Sequence, residues 1–295
     1  MPMPDLLLGA TAQEAGFTVV AAIATDLVAE VQERHDLWPT AAAAVGRLAI
    51  GAVLFGASLK GSERISLHIA GDGPLQSLTA DGWLLGDGSL GVRAYARDPH
   101  VDLPIDSRGK FDVGGAVGTG SLQVTKSYEV GQPYLGVVPL QTGEIAEDLA
   151  SYLAQSEQIP SVVALGVLAN PSGVIAAGGV LAQVLPGADE RAVAALEARA
   201  LAMPAITKLI AEGAGAHELL HALGGDAELS AHRSLDVRFA CLCTPQKVEA
   251  MLAGLGADEL RKMAGSREET EAICEFCKKP YVFTSGEILA LAARL

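Results

Sequence analysis

At 295 residues the chain is long enough for two folding units, since single cores stop growing near this size. Half of the residues are apolar and only 4% are aromatic, a balance that can bury a sizeable core and that excludes general disorder. The net charge of −14 argues against a nucleic-acid partner, because phosphates are bound by clustered Lys and Arg; residues 1–240 carry 14 basic against 27 acidic residues, and residues 241–295 carry seven against eight.

In chain order, the opening MPMPDLLLGA has no charged segment ahead of its apolar run and no small-residue cleavage site, so it is not read as a secretory signal and a cytoplasmic location is expected. Residues 17–25 suit a buried strand, Asp26 is placed to cap a short helix, and 39–59 has helix length with an Ala-rich face. Residues 64–70 alternate, with Ile65, Leu67 and Ile69 on one side, as a half-buried strand does. Further strands are expected at 75–79, 91–96, 121–127, 162–168 and 174–184. A helix is expected at 144–155, with Ile145, Leu149, Tyr152 and Leu153 on one face. Arg47 interrupts the apolar stretch 40–59, and Asn170, Pro171 and several glycines interrupt 161–185, so neither reads as a membrane span. The mixture predicts an α+β core domain with a mixed sheet over residues 1–187.

After Pro186-Gly187 the chain turns Ala-rich. Asp189 is a plausible N-cap, Val193, Leu196, Ala200 and Met203 fall at helical spacing, and Pro204 ends the helix. Short helices at 205–212 and 217–223 follow around a break at Gly213-Ala214-Gly215, so 188–240 reads as a helical linker without strands. From 241 to 295 a small unit is expected. Thr244-Pro245 opens a helix with Val248, Met251, Leu252 and Leu255 on its face, and Gly256 ends it. Thr284 and Glu287 have capping-box spacing ahead of a last helix with Ile288, Leu289 and Leu291.

The chemistry is concentrated in that unit. All four cysteines of the chain fall there as Cys241-Leu242-Cys243 and Cys274-Glu275-Phe276-Cys277. Two close thiolate pairs brought together by a fold supply the four donors of a closed tetrahedral zinc site with no catalytic position left open. The same sulfurs could instead make two short disulfides, or be buried as small apolar groups. A reducing cytoplasm favours the metal or a redox use over permanent disulfides. In a unit of about 55 residues the core is marginal, so a metal would supply much of the folding free energy. Thiolates are also the form that oxidants attack, which makes such a centre a reasonable sensor: oxidation, metal release, local unfolding.

A rival metal motif is His217-Glu218-Leu219-Leu220-His221, whose HExxH pattern is that of zinc proteases. Ala227 stands where a metzincin would have its third His, and His232 lies too far along to replace it. The competing reading is an amphipathic helix that buries Leu219, Leu220 and Leu223 and turns His217, Glu218 and His221 to solvent. The glycine-rich pieces 71–74 and 114–120 lack the Lys and Ser/Thr of a phosphate loop. His35, His68, His100 and His232 form no visible constellation.

The cysteine pattern CxC-x30-CxxC, the preceding Val237-Arg238-Phe239 and the trailing Pro280-Tyr281-Val282-Phe283 closely resemble the redox switch of the bacterial 33-kDa chaperonin family, the redox-regulated heat-shock holdases. The resemblance extends over LKGSER at 59–64, GDGPL at 71–75, GQPY at 131–134, GVVPL at 136–140, GEIAEDL at 143–149 and YLAQSEQIPS at 152–161. Trp83-Leu84-Leu85 lies outside every matched segment. The resemblance implies an ATP-independent, non-enzymatic chaperone with one zinc held by Cys241, Cys243, Cys274 and Cys277 in its reduced, inactive form. It implies that oxidation pairs Cys241 with Cys243 and Cys274 with Cys277, expels the metal and unfolds the switch and linker. The implied partners are unfolded client proteins and, on activation, a second copy of the chain, with no nucleic acid or membrane.

Overall fold

Residues Phe17–Ile23 form a strand with no polar face. Phe17, Val19, Ala21 and Ile23 enter one cluster of buried side chains, and Val20 and Ala22 enter another. Side chains alternate along a strand, so a strand covered on both faces reads as a continuous apolar run. In a computed structural model, which describes residues 4–105, 109–170, 173–188 and 190–295, this strand is part of one ten-stranded sheet. Its strands are β1 (Leu6–Ala12), β2 (Phe17–Ile23), β3 (Arg64–Gly71), β4 (Ser77–Leu84), β5 (Leu90–Ala96), β6 (Gly120–Ser127), β7 (Tyr134–Pro139), β8 (Ser161–Asn170), β9 (Gly173–Val184) and β10 (Ser230–Phe239). They lie in the order β7-β6-β3-β4-β5-β10-β1-β2-β9-β8. Neighbours are antiparallel except β5 and β10, which pair in parallel from Val237↔Leu90 to Phe239↔Val92, so the sheet is mixed as expected.

Two helical layers account for the two clusters. Helices α1 (Thr25–His35), α2 (Pro39–Gly56), α3 (Val113–Val117) and α4 (Ala146–Ser156) share one core with Leu7, Ile65, Leu67, Ile69, Val92 and Val124 of the strands. Helices α5 (Glu190–Ala202), α6 (Ile206–Ala211) and α7 (Ala216–Gly224) form the other. Their Leu196, Ile206, Ile210, Leu219, Leu220 and Leu223 cover Phe17, Val19, Ala21 and Ile23 of β2 and Ala176, Val180 and Ala182 of β9.

Helix α2 is 18 residues with a mean hydropathy of 1.5, long and apolar enough to cross a membrane by length and composition, but 89% of it is buried inside the protein as the central core helix. A helix apolar all round is a buried helix. Small residues let its neighbours approach: a Cβ on Gly46 would stand 2.6 Å from Val28 Cγ1 and 2.9 Å from Val167 Cγ2. The one charge in the run, Arg47, pairs with Glu144 Oε2 at 2.6 Å.

The 144–155 helix begins two residues later than its periodicity suggests. Ile145 sits at a φ of 72°, in a tight turn in which the Ala146 amide donates to the Glu144 carbonyl at 2.9 Å. The buried Asp148 carboxylate holds that turn by accepting from the amides of Gln141, Thr142, Gly143 and Ile145. The start of α1 is likewise held from a distance: Asp26 lies within its first turn, and the Asp26 and Leu27 amides donate to the buried carboxylate of Asp5 at 3.1 and 2.6 Å. The Asp189 cap expected before α5 lies outside the described residues.

The expectation of a linker without strands over 188–240 needs correction at its end. Residues 230–239 are β10, inserted between β1 and β5, because Leu235 and Val237 alternate into the core with polar neighbours facing out. The expected strand 75–79 starts two residues later, at Ser77, and runs on as β4 through Trp83 and Leu84; Trp83 is buried beneath the Arg93 guanidinium, 5.5 Å from its ring centroid.

By compactness the chain divides into Met1–Ala240 and Cys241–Leu295. The second unit contains α8 (Pro245–Ala253), α9 (Ala257–Ser266), β11 (Glu269–Ile273), β12 (Pro280–Thr284) and α10 (Ser285–Ala292). Thr244 caps α8 through the Lys247 amide, and Thr284 with Glu287 forms the capping box of α10. Gly256, expected to end the α8 segment, instead precedes α9, which the sequence reading did not resolve. The core of this unit is small: Val248, Leu252, Leu260, Tyr281, Phe283, Ile288, Leu291 and Ala292.

Candidate metal centre

Two local structures aim the cysteines. Cys241 and Cys243 lie just ahead of α8, on a stretch without regular secondary structure that ends in the extended Thr244 cap. Cys274 and Cys277 lie on the turn joining β11 to β12. There the Lys278 amide donates to the Cys274 carbonyl at 2.8 Å and the Cys274 amide to the Lys279 carbonyl at 3.0 Å, with Lys278 at a φ of 56°. A two-residue gap closed in this way points both sulfurs to one side.

The four cysteine Sγ atoms all lie within 4.8 Å of one another, a group among the described residues that could hold a metal ion. Cys241 Sγ is 3.8 Å from Cys274 Sγ, and Cys243 Sγ is 3.3 Å from Cys277 Sγ. A regular tetrahedron with metal–sulfur bonds of about 2.3 Å requires sulfur–sulfur edges of about 3.8 Å, so the observed cluster fits a zinc-sized ion with four thiolates. None of the four is in a disulfide, with Cys277 buried and the others half-buried.

Tyr281, on β12, donates its hydroxyl to Cys243 Sγ at 3.1 Å. Burial pushes the Cys243 thiol up, but hydrogen bonds from Tyr281 and from the other three cysteines outweigh it, and the group is held well below its ordinary value. Cys277 moves the opposite way: burial raises it, the Lys279 backbone opposes, and the neighbouring sulfurs raise it further. The arrangement therefore favours the thiolate on Cys243 over Cys277. A bound metal would require all four sulfurs as thiolates. Sequence reasoning found the four sulfurs through their spacing and missed the phenol, although Tyr281 stands in the trailing motif.

The HELLH segment builds no comparable site. His217, Glu218 and His221 are exposed on α7 while Leu219, Leu220 and Leu223 are buried, the amphipathic arrangement. Glu218 Oε2 accepts from the Gly215 amide at 2.9 Å, which turns the would-be general base toward the helix N-terminus.

The family model described as Hsp33 protein matches residues 5–284. The 33 kDa chaperonin of Bacillus licheniformis is 40% identical over 289 residues, covering 97% of this chain and 98% of that protein. That of Desulforamulus reducens is 37% identical, covering 99% of each. The crystal structure of the 33 kDa chaperonin of Thermotoga maritima superposes with a TM-score of 0.91 at 32% identity, covering 99% of both chains.

Proposed function

The chain belongs to the Hsp33 protein family, and from that premise we propose that it is a redox-regulated, ATP-independent holdase whose switch is the four-cysteine centre. It is a chaperonin-family protein and not an enzyme, so the protease alternative raised by residues 217–221 is set aside. The observation that carries the proposal is the mutual approach of all four sulfurs within 4.8 Å in a unit with so small an apolar core.

In the reduced form Cys241, Cys243, Cys274 and Cys277 hold zinc, which keeps the sulfurs deprotonated and ties the β11–β12 turn to the chain ahead of α8. Each thiolate pair then gives two electrons to a peroxide, which takes up two protons and leaves as two waters while one sulfur–sulfur bond forms. Two peroxides are consumed per chain, and the products no longer ligate the metal. On the family pattern the pairs are Cys241 with Cys243 and Cys274 with Cys277. The sulfur contacts at 3.3 and 3.8 Å run across the two motifs, so the pairing rests on the resemblance and is tested by peptide mapping of oxidised protein.

Loss of the metal unfolds 241–295 and loosens the linker 188–240 from the core 1–187. The cover formed by α5, α6 and α7 over β2 and β9 supports this reading, because its release would bare a contiguous apolar face of the kind that binds unfolded chains. The partners are then aggregation-prone clients and, on activation, a second copy of the chain, in the cytoplasm and without nucleic acid or membrane. The deciding experiment adds peroxide to reduced, zinc-loaded protein and follows zinc release, free thiols and suppression of client aggregation together, with and without ATP. All three should change together and be indifferent to ATP. Suppression that appears while zinc and four thiols persist removes the proposal.

A further inference from the structure

The imidazoles of His217 and His221 project from the solvent face of α7, both exposed, with ring centroids 4.7 Å apart. Residues at i and i+4 of a helix are neighbours with Cβ atoms about 5–6 Å apart. Two neutral imidazole nitrogens so placed can reach one ion at about 2.0–2.1 Å, and imidazole is a donor suited to zinc, nickel and copper. Glu218 is turned to the Gly215 amide and does not complete the set. The remaining positions would be taken by water, which makes the site labile.

We propose that His217 and His221 form a second, exchangeable site for a divalent transition-metal ion that clamps α7 in its helical form. The placement gives the clamp something to act on. Helix α7 has nine residues, is preceded by Gly213 and Gly215 and ends at Gly224-Gly225. Helices of that length are marginal by themselves and persist through packing. The packing here is Leu219, Leu220 and Leu223 against the apolar face of β1 and β2. An ion that binds only the helical spacing opposes fraying of the segment by the factor 1 + [M]/Kd, about tenfold at ten times the dissociation constant. Resting on the holdase reading, the consequence is a brake: zinc leaving the thiolate centre, or supplied from outside, slows the uncovering of that face and favours its closure.

The binding test uses full-length, reduced, zinc-loaded protein with no oxidant present, so its result is independent of chaperone activity. Titration with Ni2+ by calorimetry should give one further site per chain. His217→Ala and His221→Ala should each weaken it by at least about tenfold, the lower bound set by losing even an indirect ligand contact, and the double variant should abolish it. Both side chains are exposed, and circular dichroism checks that the variants fold. Amide exchange over residues 216–224 should slow with added Ni2+ in wild type and stay unchanged in the double variant. Absence of a further site, or a site that survives the double substitution, overturns the proposal, and so does binding without added protection of α7. The regulatory arm adds Zn2+ during peroxide activation: wild type should be slowed more than the double variant. Equal slowing would remove the brake while leaving the holdase reading intact.

Discussion

At Cys243 a phenol joins the other sulfurs in favouring the thiolate, and that phenol is reachable by a single substitution. Tyr281→Phe removes the hydroxyl that donates to Cys243 Sγ and leaves the ring in the small core. Partners that orient metal ligands typically contribute about 10–100-fold to metal retention, so the variant should release zinc to a chromophoric chelator about tenfold more readily. Unchanged release would make the phenol a packing residue only. Asp5 offers a second residue-scale test, in pH. Burial pushes its carboxyl up to about 6, against the pull of the hydrogen bonds from Leu27 and Asp26. A group whose folded value lies above its unfolded one stabilises the fold fully below the unfolded value, and that contribution is lost as pH rises through the folded value. The window is therefore about pH 4 to 6, and two pKa units correspond to about 3 kcal/mol. The stability difference between wild type and Asp5→Asn, followed through Trp38 and Trp83, should move by that order across the window, and a constant difference would refute the assignment. The cysteines were legible because metal ligation needs one residue type at short spacing. Asp5 was not, because its helix lies 21 positions along the chain and no local pattern marks a cap supplied from a distance.

Among elements, legibility followed the number of faces exposed. Strand β3, with one wet face, alternates cleanly, and its Ile65, Leu67 and Ile69 are all buried as expected. Strand β7 was missed because Gly136 and two prolines, Pro133 and Pro139, flank or interrupt its apolar residues, a pattern that an edge strand tolerates and a central one does not. Strand β10 was missed because charges occupy its outward positions and its partners, β1 and β5, lie far back in the sequence. Helix α2 was legible by length but carries a constraint that periodicity does not reveal. Gly46→Leu would gain about 1 kcal/mol of helix propensity, yet it would drive carbon into Val28 and Val167. Overpacking of this kind costs about 1–3 kcal/mol. A net loss of up to about 2 kcal/mol in denaturant unfolding is expected, and a stabilised variant would mean that α2 can shift. Helix α7 supplies the opposite test. Leu219→Ala leaves a cavity against the β1–β2 face, costing about 2–5 kcal/mol. Residues 216–224 should become protease-sensitive under conditions that leave α2 protected, and cleavage confined to other segments would show that α7 is not the weak part of the cover.

Across the whole molecule, most of the acidic charge and the larger apolar core belong to one unit and the four-cysteine cluster to the other. Residues 1–240 carry nearly all of the −14, a surface that keeps a chain with much coverable apolar area soluble. Residues 241–295 have almost balanced charge, eight buried apolar residues in their core and a cluster of four sulfurs. Size and cysteine placement suggest a boundary near 241, whereas nothing local marks the strand that carries the chain to Cys241. It also sets where stability should fail when the metal is withdrawn. Zinc held by thiolates contributes on the order of 10–16 kcal/mol to small domains, more than so small a core would hold in reserve. The first unit, built on a ten-stranded sheet and α2, has no comparable dependence. A strong chelator with a thiol reductant should therefore abolish amide protection over 241–295, with protection of α2 and β3 and the fluorescence of Trp38 and Trp83 retained. Oxidation is absent from that experiment, so unfolding there isolates the metal's share from that of the proposed disulfides. If 241–295 keep their protection without zinc, hydrophobic packing suffices and the centre cannot work by holding that unit together.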